Sequence, residues 1–211
     1  MINIKIFCIS EVIILVTALV LAVLRSLPGP VFFPVRALAV VYTDFFRGVP
    51  TILVILMLGT GMPALGLAGV PTSQIFWAVV SLVLVYTAYV SEVYRAGIES
   101  VHPSQEAAAR SLGLSRFQAL RFVILPQAVR RVVPPLLNDF IGLQKDTALV
   151  SVLGVVEVLQ QSQIDEAATF NGTYYLVAAT LFVLITIPLA RFTDWLIARD
   201  RRRRQAAGVP A

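Results

Sequence analysis

The sequence predicts an all-α fold, a polytopic bundle of about five transmembrane helices, and three observations predict it. Of the 211 residues, 58% are hydrophobic and only 14% are charged, whereas a soluble domain is nearer half apolar and about a quarter charged. Mean hydropathy is +0.83. The apolar residues gather in long stretches, several of them near the roughly 20 residues a helix needs to cross a bilayer, and the arginines gather in the segments between them. No sheet is expected, because an open strand edge in lipid leaves backbone groups unpaired.

The elements follow in order. Ile6–Leu24 is the first span. It is longer than the apolar core of a signal peptide, and Leu27-Pro-Gly-Pro30 is a poor small-residue cleavage site, so it reads as a retained helix. Val31–Phe46 is apolar but short and contains Pro34, Arg36 and Asp44. It is expected as a helix lying along the cytoplasmic interface and leading into the second span, Thr51–Leu67. Pro50 suits the first turn of that span, where a missing N–H is no loss. Ile75–Tyr94 is the third span, and about Val133–Leu159 the fourth, its start shaped by Pro134-Pro135. Tyr174–Ile197 is the fifth, with a kink expected at Pro188. Arg199 and Arg201 to Arg204 then form a membrane-flanking basic run before a tail expected to fray. No internal repeat is visible, so residues 1–211 read as a single membrane domain.

Charge sets the orientation. With five spans and the N-terminus outside, one side collects Arg25, Arg36, Arg47, Arg95, Arg110, Arg116, Arg121, Arg130, Arg131 and the C-terminal arginines, while the other keeps only Lys5. Basic residues concentrate in cytoplasmic loops, so the C-terminus and the loop of about residues 99–131 are expected in the cytoplasm. The net charge of +5 therefore reflects membrane flanks and gives no reason to expect a nucleic-acid partner.

That loop is polar and internally ordered. Ser104 is a candidate N-cap, Glu106 follows in the first turn where negative charge suits the helix dipole, and Gly113 is a natural stop. Ser115 with Gln118 reads as a capping box opening a second helix, whose Phe117, Leu120 and Ile124 share a face. Leu125-Pro126 closes the unit. Two readings stand: a docking element whose alanines let a partner approach, or an interfacial joint between spans.

Within the spans the polar residues crowd into the fourth: Asn138, Asp139, Gln144, Lys145, Asp146, Thr147 and Glu157. A charge at the bilayer centre costs about 2.5–3.5 kcal/mol on insertion scales, so these groups should face the interior or a cavity. Asn138, Lys145, Asp146 and Glu157 are candidate substrate-path residues, since charged and polar groups facing a cavity can line the way of a polar solute. A buried ionic network between helices or subunits is the competing account. Glu92 and Arg95 fit a gate, an interface contact or a snorkelling pair. His102, the only histidine, is expected as a solvated turn residue, and Cys8, the only cysteine, has no partner for a disulfide or metal site.

The loop resembles the signature loop in the membrane subunits of ABC importers, a short Ala-rich helix followed by Gly and then Ile/Val-x-Leu-Pro. Ala107, Ala108 and Ala109 occupy its Glu-Ala-Ala positions, with Gly113, Val123, Leu125 and Pro126 at matching spacing. The signature glutamate is out of register: Ala107 holds its place and Glu106 lies one residue early, about 100° round a helix. Phe46-Arg-Gly-Val-Pro50, Glu92-Val-Tyr-Arg-Ala-Gly-Ile98, Gly113-Leu-Ser-Arg116, Ile124-Leu-Pro-Gln-Ala128 and Lys145-Asp-Thr-Ala-Leu-Val-Ser-Val-Leu-Gly154 resemble the polar amino acid branch (histidine, glutamate/glutamine, arginine, opine). The likeness runs from about Ile13 to Ile197; chains of this kind commonly carry more residues before the first span. It implies a permease in a bacterial-type plasma (inner) membrane, moving a small polar amino acid. It also implies ATP-binding subunits on the cytoplasmic side, a second permease copy or homologue, and an extracytoplasmic solute-binding protein. Glu106, Ala107, Ala108, Ala109, Gly113, Leu125 and Pro126 become the candidate ATPase-coupling residues.

The chain itself supplies no nucleotide-binding P-loop. Such a loop needs Gly-Lys-Ser/Thr, and its two lysines, Lys5 and Lys145, follow Ile4 and Gln144. No catalytic residues, metal site or cofactor are expected, so the chain is not expected to be an enzyme. Two other readings compete: a self-contained secondary transporter or channel using Asp139, Lys145, Asp146 and Glu157 as an ion relay, and a membrane enzyme or assembly scaffold.

Overall fold

In the computed structural model, which describes residues 2–27 and 29–206, nine α-helices form the bundle and no strand occurs among the described residues. They are α1 (Ile2–Arg25), α2 (Phe33–Gly48), α3 (Thr51–Ala64), α4 (Gln74–Glu99), α5 (Pro103–Ser111), α6 (Arg116–Ala119), α7 (Leu125–Asp146), α8 (Val158–Thr169) and α9 (Thr173–Ala206). The expected fraying of the tail falls on Ala207–Ala211, outside the described residues.

The core is a seam between α1 and α4. Along α1 the buried residues recur every fourth position, Ile6, Ser10, Ile14, Ala18 and Ala22, which puts them on one stripe. That stripe lies along α4, where Leu82, Val85 and Ala88 are wholly buried. Small side chains let two backbones approach closely, and Thr17 Oγ1 meets Thr87 Oγ1 across the seam at 2.7 Å. Ser73 opens α4 as its N-cap, accepting the Phe76 N–H. α3 and α7 pack against other sides of α4, and α9 lies outside against α7 and α8. More than half of the apolar window of α4 is buried (56%), against 11% for α9, so α4 is the axis of the bundle and α9 its exposed rim.

Glycine sets the α4–α7 crossing. A Cβ on Gly97 would stand 2.0 Å from Val132 Cγ2 and 3.5 Å from the Ala128 carbonyl oxygen, so a larger residue forces the Val132 side chain or α7 to shift.

Three helices, α1, α4 and Thr173–Arg199 of α9, are long and apolar enough to cross a membrane. Among the described residues α2 and α3 qualify only together, as a bent pair, so they add at most one further crossing. α3 has 14 residues, about 21 Å at 1.5 Å each, and it meets α2 at 101°. Pro50 excludes the helical conformation from Val49, which is extended at ψ 130° and ends α2. α2 thus stands nearly perpendicular to α3, with Pro50 at the N-cap of α3.

The stretch Val133–Leu159 is not one helix, and this corrects the fourth span. α7 begins earlier, at Leu125, and carries Pro134 and Pro135 inside it, not at its start. It ends at Asp146, a 3-10 turn continues over Thr147–Leu153, and Gly154 closes that turn at φ +76°. The chain then passes through Val155–Glu157 into α8.

Candidate functional site

The loop between α4 and α7 is stiff because its ends are capped. α5 starts at Pro103, and the cap is His102: its Nδ1 accepts the Ser104 N–H at 3.2 Å. Ser104 was the expected cap, so the lone histidine has a structural role that its Pro-Ser context did not reveal. At the other end, Gly113 has φ +87°. The Gly113 N–H donates to the Arg110 carbonyl and the Leu114 N–H to the Ala109 carbonyl, the paired bonds of a Schellman stop. Ser115 and Gln118 make the expected capping box, at 2.8 and 3.3 Å.

After α6 the chain widens into a π turn over Leu120–Ile124. Pro126 has no N–H for the Phe122 carbonyl and its ring would crowd that oxygen, and a wider turn relieves both. Leu125 and Pro126 thus open α7 instead of closing the loop. The loop is tied back by Gln127 Nε2 to Gln105 Oε1 at 3.5 Å and by the Arg131 guanidinium to the Ser100 carbonyl.

Ala107 and Ala108 face solvent and Ala109 is buried. Glu106 is half-buried, its carboxylate 3.8 Å from the exposed Arg116. Leu112, Phe117 and Phe122 are 80%, 68% and 64% exposed. The expected shared face of Phe117, Leu120 and Ile124 therefore does not fold onto the bundle: Phe117 and Leu120 stand open. Of the seven candidate coupling residues, Glu106, Ala107, Ala108 and Ala109 lie in α5 and Gly113 at its stop, while Leu125 and Pro126 open α7.

The four candidate path residues divide. Asn138 and Lys145 are exposed, seven residues apart on α7 and hence on one side of it. Arg131, seven residues earlier, extends the same stripe, with Pro135 and Gly142 between. About 100° round the helix, Asp139 and Asp146 form a second stripe. Asp146 Oδ2 accepts the Tyr86 hydroxyl at 2.9 Å, and Gly142 leaves room for it, since a Cβ there would stand 3.2 Å from the Tyr86 oxygen. Asp139 Oδ2 is buried with no partner among the described residues. Neighbours in sequence, Lys145 and Asp146 thus face different surroundings. Tyr86 had no signal in the sequence beyond being an aromatic in an apolar span.

Glu157 lies elsewhere. It is 4% exposed and caps α8, accepting the Gln160 N–H at 2.7 Å and the Asn3 amide at 2.8 Å. Asn3 also donates to Thr147 Oγ1 and accepts the Val158 N–H. The group ties the start of α1 to the start of α8 and leaves Glu157 bonded at both oxygens.

Glu92 and Arg95 belong to a larger ionic set. The Glu92 carboxylate receives Arg25 of α1 and Arg95, and Arg95 also reaches Glu99 at 2.5 Å. Beside them a cavity of about 400 Å³ opens between the end of α2, the last turns of α4 and α7, with Arg47, Glu92, Ser100 and Arg131 in its wall.

Residues 14–202 match the family described as "Binding-protein-dependent transport system inner membrane component". The inner membrane amino-acid ABC transporter permease protein YhdY of Escherichia coli (strain K12) is 35% identical over 169 residues, 78% of this chain; that stretch is 46% of YhdY, so the chain spans about half of that relative's length. The arginine transport system permease protein ArtQ of Bacillus subtilis (strain 168) is 33% identical over 94% of this chain and 88% of its own. A chain from the crystal structure of an amino acid ABC transporter with histidines superposes with a TM-score of 0.83, at 29% identity, over 93% of this chain and 90% of that one.

Proposed function

This chain belongs to the family of binding-protein-dependent transport system inner membrane components, and on that premise we propose that it is the permease subunit through which an ABC importer passes a polar amino acid. Membership of a transport family favours this reading over a self-contained secondary transporter or a membrane enzyme. In this reading the ATP is hydrolysed on separate subunits, an extracytoplasmic solute-binding protein delivers the cargo, and a second permease copy or homologue completes the path. The N-terminus faces outside and the C-terminus the cytoplasm.

One observation carries the proposal: a rigid, doubly capped loop holds Ala107, Ala108 and its largest apolar side chains outward. The ATP-binding subunit grips α5 with Ala107 and Ala108 at the closest approach, and burying Leu112 or Phe117 there is worth about 1.5–3 kcal/mol each. Movement of that subunit passes through the Schellman stop and the Gln105–Gln127 tie into α7. α7 carries the path. Lys145 offers an ammonium to the cargo carboxylate, Asn138 offers an amide two turns away, and Asp146, oriented by Tyr86, sets negative charge behind them. Glu157 fixes the outer end of the path by anchoring α8 rather than by touching cargo.

Reconstitution tests this. In liposomes holding the whole complex, uptake requires ATP and the ATP-binding subunits. Lys145→Met assembles normally but transports about tenfold less, the effect of losing one charged hydrogen bond. Uptake by this chain alone on an ion gradient would overturn the proposal.

A further inference from the structure

We propose that Arg47 and Arg131 form a second carboxylate-binding station at the inner mouth of the path, the last hold on the cargo before release. The inference rests on the permease reading above and adds a site to it. Arg47 comes from the last turn of α2 and Arg131 from α7, and both line the cavity of about 400 Å³ beside the end of α4. Among the described residues neither arginine is ion-paired. The one carboxylate in the cavity wall, Glu92, is already held by Arg25 and Arg95, so the cavity presents two cations with no counter-anion of its own. Both arginines are positioned. The Arg47 guanidinium lies 5.9 Å over the Tyr89 ring, whose hydroxyl donates to the Arg47 carbonyl at 3.4 Å, and Arg131 donates to the Ser100 carbonyl. A guanidinium fork matches a carboxylate with two parallel bonds.

The stripe on α7 says which anion. Arg131 shares its face with Asn138 and Lys145, both exposed. Lys145 lies inside the apolar stretch, where a charge in hydrocarbon is costly, so in this reading the face lines a hydrated path that ends at Arg131, and the ligand is what travels it. Arg131 and Lys145 are 14 residues apart, about 21 Å along the helix. A single amino acid cannot touch both. Its carboxylate leaves Lys145 and is received at Arg131 and Arg47, and cargo that lingers there blocks the next cycle.

The test is import into proteoliposomes by the complete complex, with L-arginine, L-glutamine or L-histidine outside and the same amino acid, or its α-amide, preloaded inside. Internal amino acid should slow import by the wild type, and the α-amide, lacking the carboxylate, should do so at least about tenfold less effectively. Arg131→Gln and Arg47→Gln should each raise the internal concentration for half-inhibition about tenfold, and Arg131→Lys should recover part of it. Glutamine still has a donor for the Ser100 carbonyl, so loss of fold is not the expected defect, and co-purification with the ATP-binding subunit checks it. Inhibition unchanged in both arginine variants, or equal inhibition by the α-amide, would overturn the inner station while leaving the permease reading intact. Inhibition that disappears when phosphatidylglycerol is replaced by phosphatidylcholine would assign the arginines to lipid phosphate instead and overturn it too. No import of any of the three amino acids by the wild type would overturn the proposed cargo class and the station with it.

Discussion

The α1–α4 seam and the α5–α6 loop are both well-ordered, yet they are stabilised in opposite ways. In the seam, Ile6, Ile14, Ala18, Leu82 and Val85 are at most 1% exposed, and the contacts that hold the helices are all inside the chain. In the loop, the backbone is satisfied by His102, the Schellman stop and the Ser115–Gln118 box, while Leu112, Phe117 and Phe122 are left uncovered. The seam gets rigidity mainly from packing; the loop gets it mainly from its caps, with the Gln105–Gln127 and Ser100–Arg131 ties to α7. The exposed leucines of α9 belong to a helix long and apolar enough to cross a membrane. The loop lies among Arg110, Arg116 and Arg121, where lipid tails do not reach. A segment kept stiff without being covered is suited to pushing on, or being pushed by, another protein.

Substitutions in the two regions should therefore fail differently. Gly97→Val, at the α4–α7 crossing, has the largest expected effect on the fold. It drives a branched side chain into Val132, and overpacking of this kind costs about 1–3 kcal/mol and occasionally more. Membrane levels and thermal stability in detergent should both fall, and wild-type stability would show that α7 yields easily there. Gly113→Val comes next. There is open space around the position, so the penalty is conformational, about 1–3 kcal/mol for a strained residue at positive φ, and it is confined to the loop. Membrane levels should stay normal while ATPase stimulation and uptake are lost; reduced membrane levels would blur the contrast between the regions. Glu106→Ala is the smallest. It removes a first-turn charge worth about 0.3–1 kcal/mol and a long contact to an exposed arginine. Uptake should change by no more than about fivefold, whereas a severe defect would place the functional glutamate at Glu106 after all.

Much of this was legible in the sequence because it is local. The helical class follows from composition, the Gly113 stop from the need for positive φ, and the capping box from two residues three apart. What was not legible depends on tertiary geometry or on competition between neighbouring signals. The cap fell to His102 because Pro103 fills the first helical position and pushes Ser104 inside. The interior Pro134-Pro135 were read as a helix start, since nothing in the local pattern shows that α7 already has momentum from Leu125. Asn138 and Lys145 are separable from Asp146 by helical phase, but the role of Glu157 required Asn3, 154 residues away. Tyr86 and the Arg47–Arg131 cavity likewise exist only once α2, α4 and α7 are brought together.

If force enters the bundle through the outward face of α5, as proposed, Ala108→Trp should break the coupling. Ala108 is exposed, so a tryptophan there meets nothing in this chain and everything in a partner seated on the face. With membrane levels matched, co-purification and ATPase stimulation should show loss of the ATP-binding subunit or loss of coupling, and uptake should vanish. Full association and full uptake in Ala108→Trp would contradict the account and put the docking surface elsewhere.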